Sequence, residues 1–299
     1  MEDDMNEPAW LTESDTVADM VNHPAFTGFG EHLVPRPCDA QSRLPLREVG
    51  RLMPPWHSHV RPGIVTAVLN RMINDAMTGK AVFYPFYTER EKQERTGLFY
   101  YRGKPGAPFA LIFPGGGFSY VGSLHEGFPL ADVLSRKGYN AFVLQYRTGS
   151  QAVAYEDMAA ALSWVFHHAE ELEISTQGYS LWGGSAGGRM AADLGSYGAA
   201  AFGGEHVPRP AAVVMGYTGH TRYTENDPPT FAVVSLDDPI ASPRVMERRI
   251  TALNAAGVDT EFHLYRNAGH GFGVGTGTDA EGWIDYAIHF WEQHLTKKK

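Results

Sequence analysis

From about residue 80 onward, short apolar runs alternate along the chain with segments of helical periodicity. Eight runs rich in β-branched and aromatic residues indicate strands: AVFYPFY, GLFYYR, FALIFPG, NAFVLQYR, YSLWGG, AAVVMGY, FAVVSLDD and TEFHLYR. Between the later runs and after the last lie helical segments: FPLADVLSRKG, YEDMAAALSWVFHHAEEL, AGGRMAADLGSYG, PRVMERRITALNAAG and AEGWIDYAIHFWEQHL. Strands that alternate with helices form a mainly parallel sheet. The pattern therefore predicts an α/β fold with a mostly parallel eight-stranded sheet and helices on both faces.

The N-terminal part of the chain differs from this pattern, because it is rich in proline and only weakly periodic. One amphipathic segment within it, IVTAVLNRMINDAM, predicts a helix. We therefore divide the chain into an N-terminal extension, residues 1–79, and a main domain, residues 80–299, which carries the motifs described below.

The composition argues against several classes of partner. The formal net charge is -9 at pH 7 and no basic stripe is present, so neither nucleic acid nor an anionic membrane surface is an expected partner. The single cysteine, Cys38, cannot form an intrachain disulfide. The N-terminal segment MEDDMNEPAW is acidic, and no stretch approaches the roughly 18 apolar residues of a membrane span. We expect a cytoplasmic protein that acts on a small molecule, and the sequence leaves its oligomeric state open.

The segment YSLWGGSAGGRM places a serine, Ser185, among small residues between a predicted strand and a predicted helix. Glycine inside regular structure costs about 0.5–1 kcal/mol relative to alanine, so the cluster needs a local reason. In a sharp strand-to-helix turn the central residue adopts a strained backbone, and side chains two positions away on either side would collide. Gly183 and Gly187 occupy those two positions. Residues 183–187 thus match G-x-S-x-G, which indicates a nucleophilic serine at the carboxyl end of a strand.

A nucleophilic serine needs a base and an orienting acid, and after this turn they follow in the order Ser, Asp or Glu, His. Asp237 and Asp238 come directly after one predicted strand, and His270 comes after the next. His220 precedes both aspartates and therefore breaks the order, so we expect it to line the substrate pocket instead.

Four other histidines raise the question of a metal site. His57 and His59 lie in a proline-rich loop, and His167 and His168 lie on a predicted helix. No carboxylate or histidine neighbour completes a ligand set around either pair. We expect solvated or packing roles for these histidines and no bound metal.

A glycine-rich loop, PGGGF, follows the predicted strand FALIF. Successive glycines let backbone N–H groups face the serine and stabilise the negative oxygen of a tetrahedral intermediate. A phosphate-binding loop is disfavoured, because the pattern G-x-G-x-x-G fails at Tyr120 and no G-K-[ST] follows. The loop therefore predicts an oxyanion hole.

These motifs, in the order PGGGF, GYNAFVLQYR, GGSAGG, DDPI and GHGFG, resemble those of the α/β-hydrolases over roughly residues 80–297. Within that superfamily the chain is similar to acetylxylan-esterase-like and feruloyl-esterase-like carboxylesterases, and more distantly to the hormone-sensitive-lipase group. The resemblance implies the α/β-hydrolase fold with Ser185 as nucleophile and His270 as base. It also implies Asp238 as the acid, because the family's acid stands fourth in a turn that begins here at Ser235.

The resemblance further implies oxyanion donors in the backbone N–H groups of Gly116, Gly117 and Ala186. Two residues depart from the family pattern. Pro114 stands where many relatives have histidine, and Ser235 stands where the acid turn usually has glycine. Neither change removes a catalytic group.

We therefore predict a serine carboxylesterase that hydrolyses short-chain acyl esters through an acyl-enzyme and needs no cofactor. Acetylated sugars or small xenobiotic esters are the expected substrates, with Phe118, Tyr120 and His220 as substrate-binding residues. Two alternatives remain open: a formamidase or other amide hydrolase with the same triad, and an inactive hydrolase fold that serves as a binding protein.

The N-terminal extension lies outside the resemblance. Its aromatic residues could form a partial lid over the site or simply anchor the extension: Trp10, Phe26, Phe29 and Trp56. We expect residues 1–15 to be dispensable and residues 21–77 to pack over the carboxyl ends of the strands.

Overall fold

Eight strands form one sheet in the computed structural model, which describes residues 10–57 and 59–295. The strands are β1 (Phe83–Tyr84), β2 (Gly97–Tyr101), β3 (Pro108–Phe113), β4 (Asn140–Gln145), β5 (Ser175–Gly184), β6 (Ala212–Gly216), β7 (Thr230–Ser235) and β8 (Thr260–Tyr265). Their order is β1-β2-β4-β3-β5-β6-β7-β8. The pairs β1–β2 and β2–β4 are antiparallel, and the remaining pairs are parallel. The predicted mostly parallel eight-stranded sheet is confirmed.

Helices lie before, between and after the strands. They are α1 (Val17–Val21), α2 (Pro62–Met77), α3 (Arg90–Gln93), α4 (Phe128–Arg136), α5 (Gln151–His167), α6 (Ala186–Tyr197), α7 (Pro243–Ala255) and α8 (Trp283–Gln293). Helix α5 begins four residues before the predicted segment, because Ser150 caps it by accepting a hydrogen bond from the Val153 N–H at 3.3 Å. Within the described residues, no helix combines the length and apolar character that crossing a membrane would require.

The central strands are buried along their whole length. Every residue of β2, β4, β6 and β7 is buried, so both faces of the sheet are covered. This explains why these runs read as continuous apolar segments and not as an alternation. The edge strand β8 is only partly buried.

The N-terminal extension shares the core of the main domain, because Leu33 and Leu69 belong to the same hydrophobic cluster as Leu111 and Val233. Phe29 stacks on Phe83 of β1, with ring centroids 4.9 Å apart.

A partial lid and an anchor were both open for the aromatic residues of the extension, and Phe26 and Phe29 act as anchors. Phe26 packs edge-on against Phe29, so both anchor the extension to the antiparallel edge of the sheet. Trp10 and Trp56 remain substantially exposed.

Residues 11–15 are also tied to the fold, contrary to the expectation that residues 1–15 are dispensable. Leu11 is buried, and its N–H donates to Oδ1 of Asn70 at 2.9 Å while its carbonyl accepts from Asn70 Nδ2 at 2.8 Å. The Leu46 N–H donates to the carbonyl of Asp15 at 2.8 Å. Residues 1–9, which that expectation also covered, lie outside the described residues.

Deleting residues 1–60 is expected to prevent folding, because it uncovers α2 and the β1–β2 edge at once. Soluble yield and the far-ultraviolet circular dichroism of residues 61–299 measure this, with the full chain expressed in parallel. A soluble truncated protein with the spectrum of the full chain would show that the extension is an accessory layer.

Candidate active site

Ser185 lies at the turn between β5 and α6, with φ 53° and ψ -118°. A non-glycine residue in this region carries strain of roughly 1–3 kcal/mol, which the surrounding packing must hold in place. A Cβ on Gly183 would lie 2.2 Å from the carbonyl oxygen of Gly187, and one on Gly187 would lie 1.8 Å from that of Phe113. Only glycine fits at either position. The turn has the form that the G-x-S-x-G pattern predicted.

Three side chains from separate loops meet at this turn. His270 Nε2 lies 3.0 Å from Ser185 Oγ, and His270 Nδ1 lies 2.8 Å from Asp238 Oδ2. The Asp238 side chain is 0% exposed, and its Oδ1 accepts hydrogen bonds from the N–H groups of Ile240 and Ala241 at 2.8 and 2.7 Å. These backbone donors fix the carboxylate, which in turn orients the imidazole so that Nε2 faces the serine hydroxyl.

The neighbouring aspartate has a different environment. Asp237 Oδ1 accepts from the Ser235 hydroxyl at 2.5 Å and from the Gly269 N–H at 2.9 Å. Ser235 Oγ in turn accepts from the Ala268 N–H at 2.9 Å. Asp237 and Ser235 therefore tie the end of β7 to the loop that carries His270. Asp238, not Asp237, faces the imidazole.

Two of the three predicted oxyanion donors, Gly117 and Ala186, line the same pocket as Ser185, and Gly116 does not. The N–H groups of Gly116, Gly117 and Ala186 donate no hydrogen bond to any other described residue. Ala186 is also the first residue of α6, where the helix dipole favours negative charge. Gly117, Ala186 and Ser185 line one pocket of about 270 Å³. The arrangement fits an oxyanion hole, and that role stays a prediction.

The walls of this pocket come from the main domain. Besides the residues named above, it is lined by Phe118, Arg189, Tyr217, Thr218 and Ile240, among others. Phe118 therefore lies at this pocket, and its role in substrate binding stays a prediction. None of the described residues before residue 80 lines the pocket, so the described part of the extension forms no wall.

Two predicted substrate-binding residues do not line the pocket. Tyr120 is buried, and its hydroxyl lies 2.7 Å from His57 Nε2. His220 is also buried, with Nε2 at 3.2 Å from Asp193 Oδ1. The Asp193 carboxylate is fully buried in α6, and His220 lies beside it. The loop that carries His220 therefore folds back onto the helix and away from the pocket.

A buried polar cluster behind His270 was missed by the sequence reasoning. It consists of His57, Tyr120, His125 and Glu126. The His57 ring centroid lies 6.4 Å from that of His270 and 5.8 Å from that of His125. His57 is buried and therefore has the packing role, one of the two expected for it, but its place beside His270 was not predicted. The contact joins distant parts of the chain, and no local sequence signal could have revealed it.

Glu126 and His125 connect this cluster to the glycine-rich loop and to the loop that carries His270. Glu126 Oε2 accepts a hydrogen bond from the Gly115 N–H at 2.5 Å, which holds the start of the glycine-rich loop. His125 Nε2 lies 2.7 Å from the carbonyl oxygen of Gly271, next to His270. An acidic residue between a glycine loop and an apolar helix, as in SLHEGF, is the one sequence signal that could have identified Glu126.

The electrostatics of the cluster follow from its burial. Burial lowers the pKa of His125 to about 4, so the ring is neutral at pH 7. A neutral ring beside a carbonyl oxygen carries its proton on Nε2 and donates it to Gly271. Burial, together with the Glu126 carboxylate, raises the pKa of Tyr217 well above its usual value. In residues 10–57 and 59–295, no group of three or more His, Cys, Asp or Glu side chains could hold a metal ion.

Comparison with known protein families yields two matches. A model described as BD-FAE matches residues 103–208, and one described as the prolyl oligopeptidase family matches residues 205–298. An acetylxylan esterase from Xylanibacter ruminicola is 22% identical over 204 residues, or 58% of this chain. The chain spans 41% of the length of this curated relative.

Solved structures extend the similarity to most of the main domain. An α/β-hydrolase enzyme from a Medee basin deep-sea metagenome library has 25% identity and a TM-score of 0.60, over 71% of this chain and 96% of that one. An acetyl ester-xyloside bifunctional hydrolase from Caldicellulosiruptor lactoaceticus has 20% identity and a TM-score of 0.62, over 71% and 95%. A thermophilic esterase from Thermogutta terrifontis has 20% identity and a TM-score of 0.60, over 72% and 94%.

His125 provides a pH test of the buried cluster. Its pKa is about 4 in the folded protein and near the ordinary value of 6.5 in the unfolded chain. Below about pH 6.5 the unfolded chain therefore binds a proton at this residue and the folded protein does not. The contribution of the neutral ring to the free energy of unfolding is complete above about pH 6.5 and is lost as the pH falls toward 4. His125→Gln keeps an N–H donor for the Gly271 carbonyl but does not titrate. We expect its free energy of unfolding to fall less steeply than that of the wild type between pH 7 and 4.5.

Urea unfolding at several pH values measures these slopes. His32, whose pKa burial also lowers to about 4, contributes a remaining slope in both proteins. His167→Gln, which changes an exposed imidazole, is the matched control. Equal slopes for the wild type and His125→Gln would contradict a neutral buried His125.

Proposed function

We propose that this chain, which belongs to the α/β-hydrolase superfamily, is a serine carboxylesterase. The fold and the similarities confirm the predicted α/β-hydrolase and its acetylxylan-esterase-like relationship. The observation that carries the proposal is the hydrogen-bonded series from Asp238 through His270 to Ser185, with the unpartnered N–H groups of Gly117 and Ala186 in the same pocket.

The first half of the reaction acylates Ser185. His270 Nε2, at 3.0 Å, takes the hydroxyl proton as Oγ forms a bond to the ester carbonyl carbon. Asp238, held by two backbone donors, keeps the proton of Nδ1 in place and stabilises the imidazolium. The carbonyl oxygen becomes negative, and the N–H groups of Gly116, Gly117 and Ala186 stabilise it. Collapse of this intermediate breaks the bond to the alcohol oxygen, which takes the proton from His270.

The second half repeats these steps with water. His270 removes a proton from a water molecule as its oxygen attacks the acyl carbon, and the same donors stabilise the second tetrahedral intermediate. The bond to Ser185 Oγ then breaks, the serine regains its proton, and the carboxylic acid leaves. No step requires a cofactor.

The substrate class follows from the size of the pocket and from the printed activities of the relatives. A pocket of about 270 Å³ holds a short acyl group or a small alcohol. One relative is described as an acetylxylan esterase and another as an acetyl ester-xyloside bifunctional hydrolase. We therefore propose short-chain acyl esters, with acetylated small sugars as the first class to assay.

Substituting each aspartate in turn tests whether the mechanism needs Asp238 in particular or only a negative charge near the site. Asp238→Asn is expected to lower kcat by about 10⁴, the effect known for the orienting acid of a serine protease, because asparagine favours the wrong imidazole tautomer. Asp237→Asn should lower kcat far less, because it contacts the histidine loop and not the imidazole. The measurement is kcat for 4-nitrophenyl acetate.

Circular dichroism and thermal unfolding of both variants provide the controls for folding. A larger loss in Asp237→Asn than in Asp238→Asn would contradict the assignment of the acid. Absence of ester hydrolysis by the folded wild-type protein would overturn the proposed function itself.

A further inference from the structure

We propose that the pocket beside Ser185 selects esters that carry a carboxylate, which the guanidinium of Arg189 binds. This inference rests on the proposed function and specifies the substrate class of the same site. It is carried by a cation that lines the pocket and has no anionic partner among the described residues.

Arg189 is placed by the same helix that begins at the nucleophile. It stands four residues after Ser185 in α6, and its backbone N–H donates to the carbonyl of Ser185 at 3.2 Å. Ser185 is the N-cap residue of α6, so Arg189 stands about one helical turn beyond the nucleophile. The side chain is partly buried and lines the pocket.

Arg189 has no anionic partner among the described residues. No carboxylate of the described residues lies within 4.0 Å of its guanidinium; its side chain makes one hydrogen bond, from Nη1 to Gln151 Oε1 at 3.4 Å. Three other largely buried arginines each have a close carboxylate. Arg71 lies 2.6 Å from Asp132, Arg147 lies 2.6 Å from Asp157, and Arg249 lies 2.7 Å from Asp227.

An arginine that is partly removed from water without a counter-charge is costly, and a bound anion removes that cost. Among the described residues that line the pocket there is no aspartate or glutamate, so nothing there repels such an anion. The planar guanidinium presents parallel N–H donors that match the two oxygens of a carboxylate.

The surroundings of the guanidinium also favour the binding of an anion. Its partner Gln151 is the first residue of α5, a helix of 17 residues, and the N-terminal end of a helix carries partial positive charge. Phe118 lines the same pocket and supplies an apolar surface for the part of the substrate that joins the carboxylate to the ester. The pocket therefore combines a nucleophile, an apolar wall and a cation.

The carboxylate could belong to the acyl group or to the alcohol, and two matched substrate pairs separate these cases. For the alcohol side, the pair is 4-acetoxybenzoate and methyl 4-acetoxybenzoate. For the acyl side, it is 4-nitrophenyl hydrogen adipate and 4-nitrophenyl methyl adipate. Each kcat/KM is divided by the hydroxide-catalysed rate of the same compound, and the charged-to-neutral ratio is then compared within each pair.

In the wild-type protein we expect a charged-to-neutral ratio of at least about 10 in one of the two pairs, as a charge-assisted hydrogen bond in a partly desolvated pocket provides. In Arg189→Gln that ratio should fall at least about tenfold, whatever happens to the absolute rates. Raising the salt concentration from about 0.05 M to about 0.5 M should reduce the wild-type ratio by screening and leave the variant's ratio nearly constant.

Arg222→Gln is the matched control. Arg222 is 58% exposed, is paired with Asp193 at 2.8 Å and does not line the pocket, so its loss changes the net charge without removing the proposed donor. Its charged-to-neutral ratio should stay at the wild-type value.

Two results would overturn the proposal while leaving the esterase function intact. One is wild-type hydrolysis of both neutral esters with ratios near 1 in both pairs. The other is a high ratio that Arg189→Gln preserves. If the folded protein hydrolyses none of the four esters, the proposed function fails, and the assignment of Arg189 fails with it.

Discussion

The strained turn at Ser185 is the constraint around which the site is arranged. A serine at φ 53° exposes its hydroxyl beyond the end of β5, and such a backbone persists only where close packing leaves no alternative. Contact of the end of β3 with the start of α6, through Phe113 and Gly187, provides that packing. The position of the hydroxyl, of the Ala186 N–H and of Arg189 all follow from where α6 begins.

The partners of Ser185 are held by buried polar contacts. Asp238 is fixed by backbone donors, and its neighbour Asp237 ties the histidine loop to the end of β7. Behind them, Glu126 binds the glycine-rich loop and His125 binds the histidine loop. Since an unpaired polar group in the interior is costly, each of these contacts restricts its loop to one position, which is the preorganisation that electrostatic catalysis needs.

The N-terminal extension supports this arrangement from outside the pocket. The Val121 N–H donates to the carbonyl of Pro35 at 3.1 Å, and the Arg36 guanidinium lies 4.9 Å from the centroid of the Tyr120 ring. His57 then bonds the Tyr120 hydroxyl. The extension thus packs against the segment that follows the glycine-rich loop, and it couples the stability of the fold to the geometry of the site.

Sequence patterns predicted what depends on local structure. The eight strands, the turn at Ser185 and the chain order of the triad all follow from short motifs with a steric or chemical reason. The patterns did not predict contacts set by long-range packing, such as His57 against Tyr120, or the inward turn of His220 toward Asp193. The extension was predicted to cover the site because its aromatic residues need burial, but periodicity does not say which surface buries them. Arg189 was passed over because a cation on an amphipathic helix usually faces solvent.

The activation of Ser185 as a nucleophile is tested most directly by covalent labelling of the native protein with a fluorophosphonate, followed by intact-mass and peptide mass spectrometry. An activated serine displaces fluoride and retains the phosphonyl group, whereas an ordinary serine hydroxyl does not react. We predict one adduct per chain, located on Ser185, and a strongly slowed reaction in His270→Gln. Labelling of another residue, or no labelling of the folded wild-type protein, would contradict it.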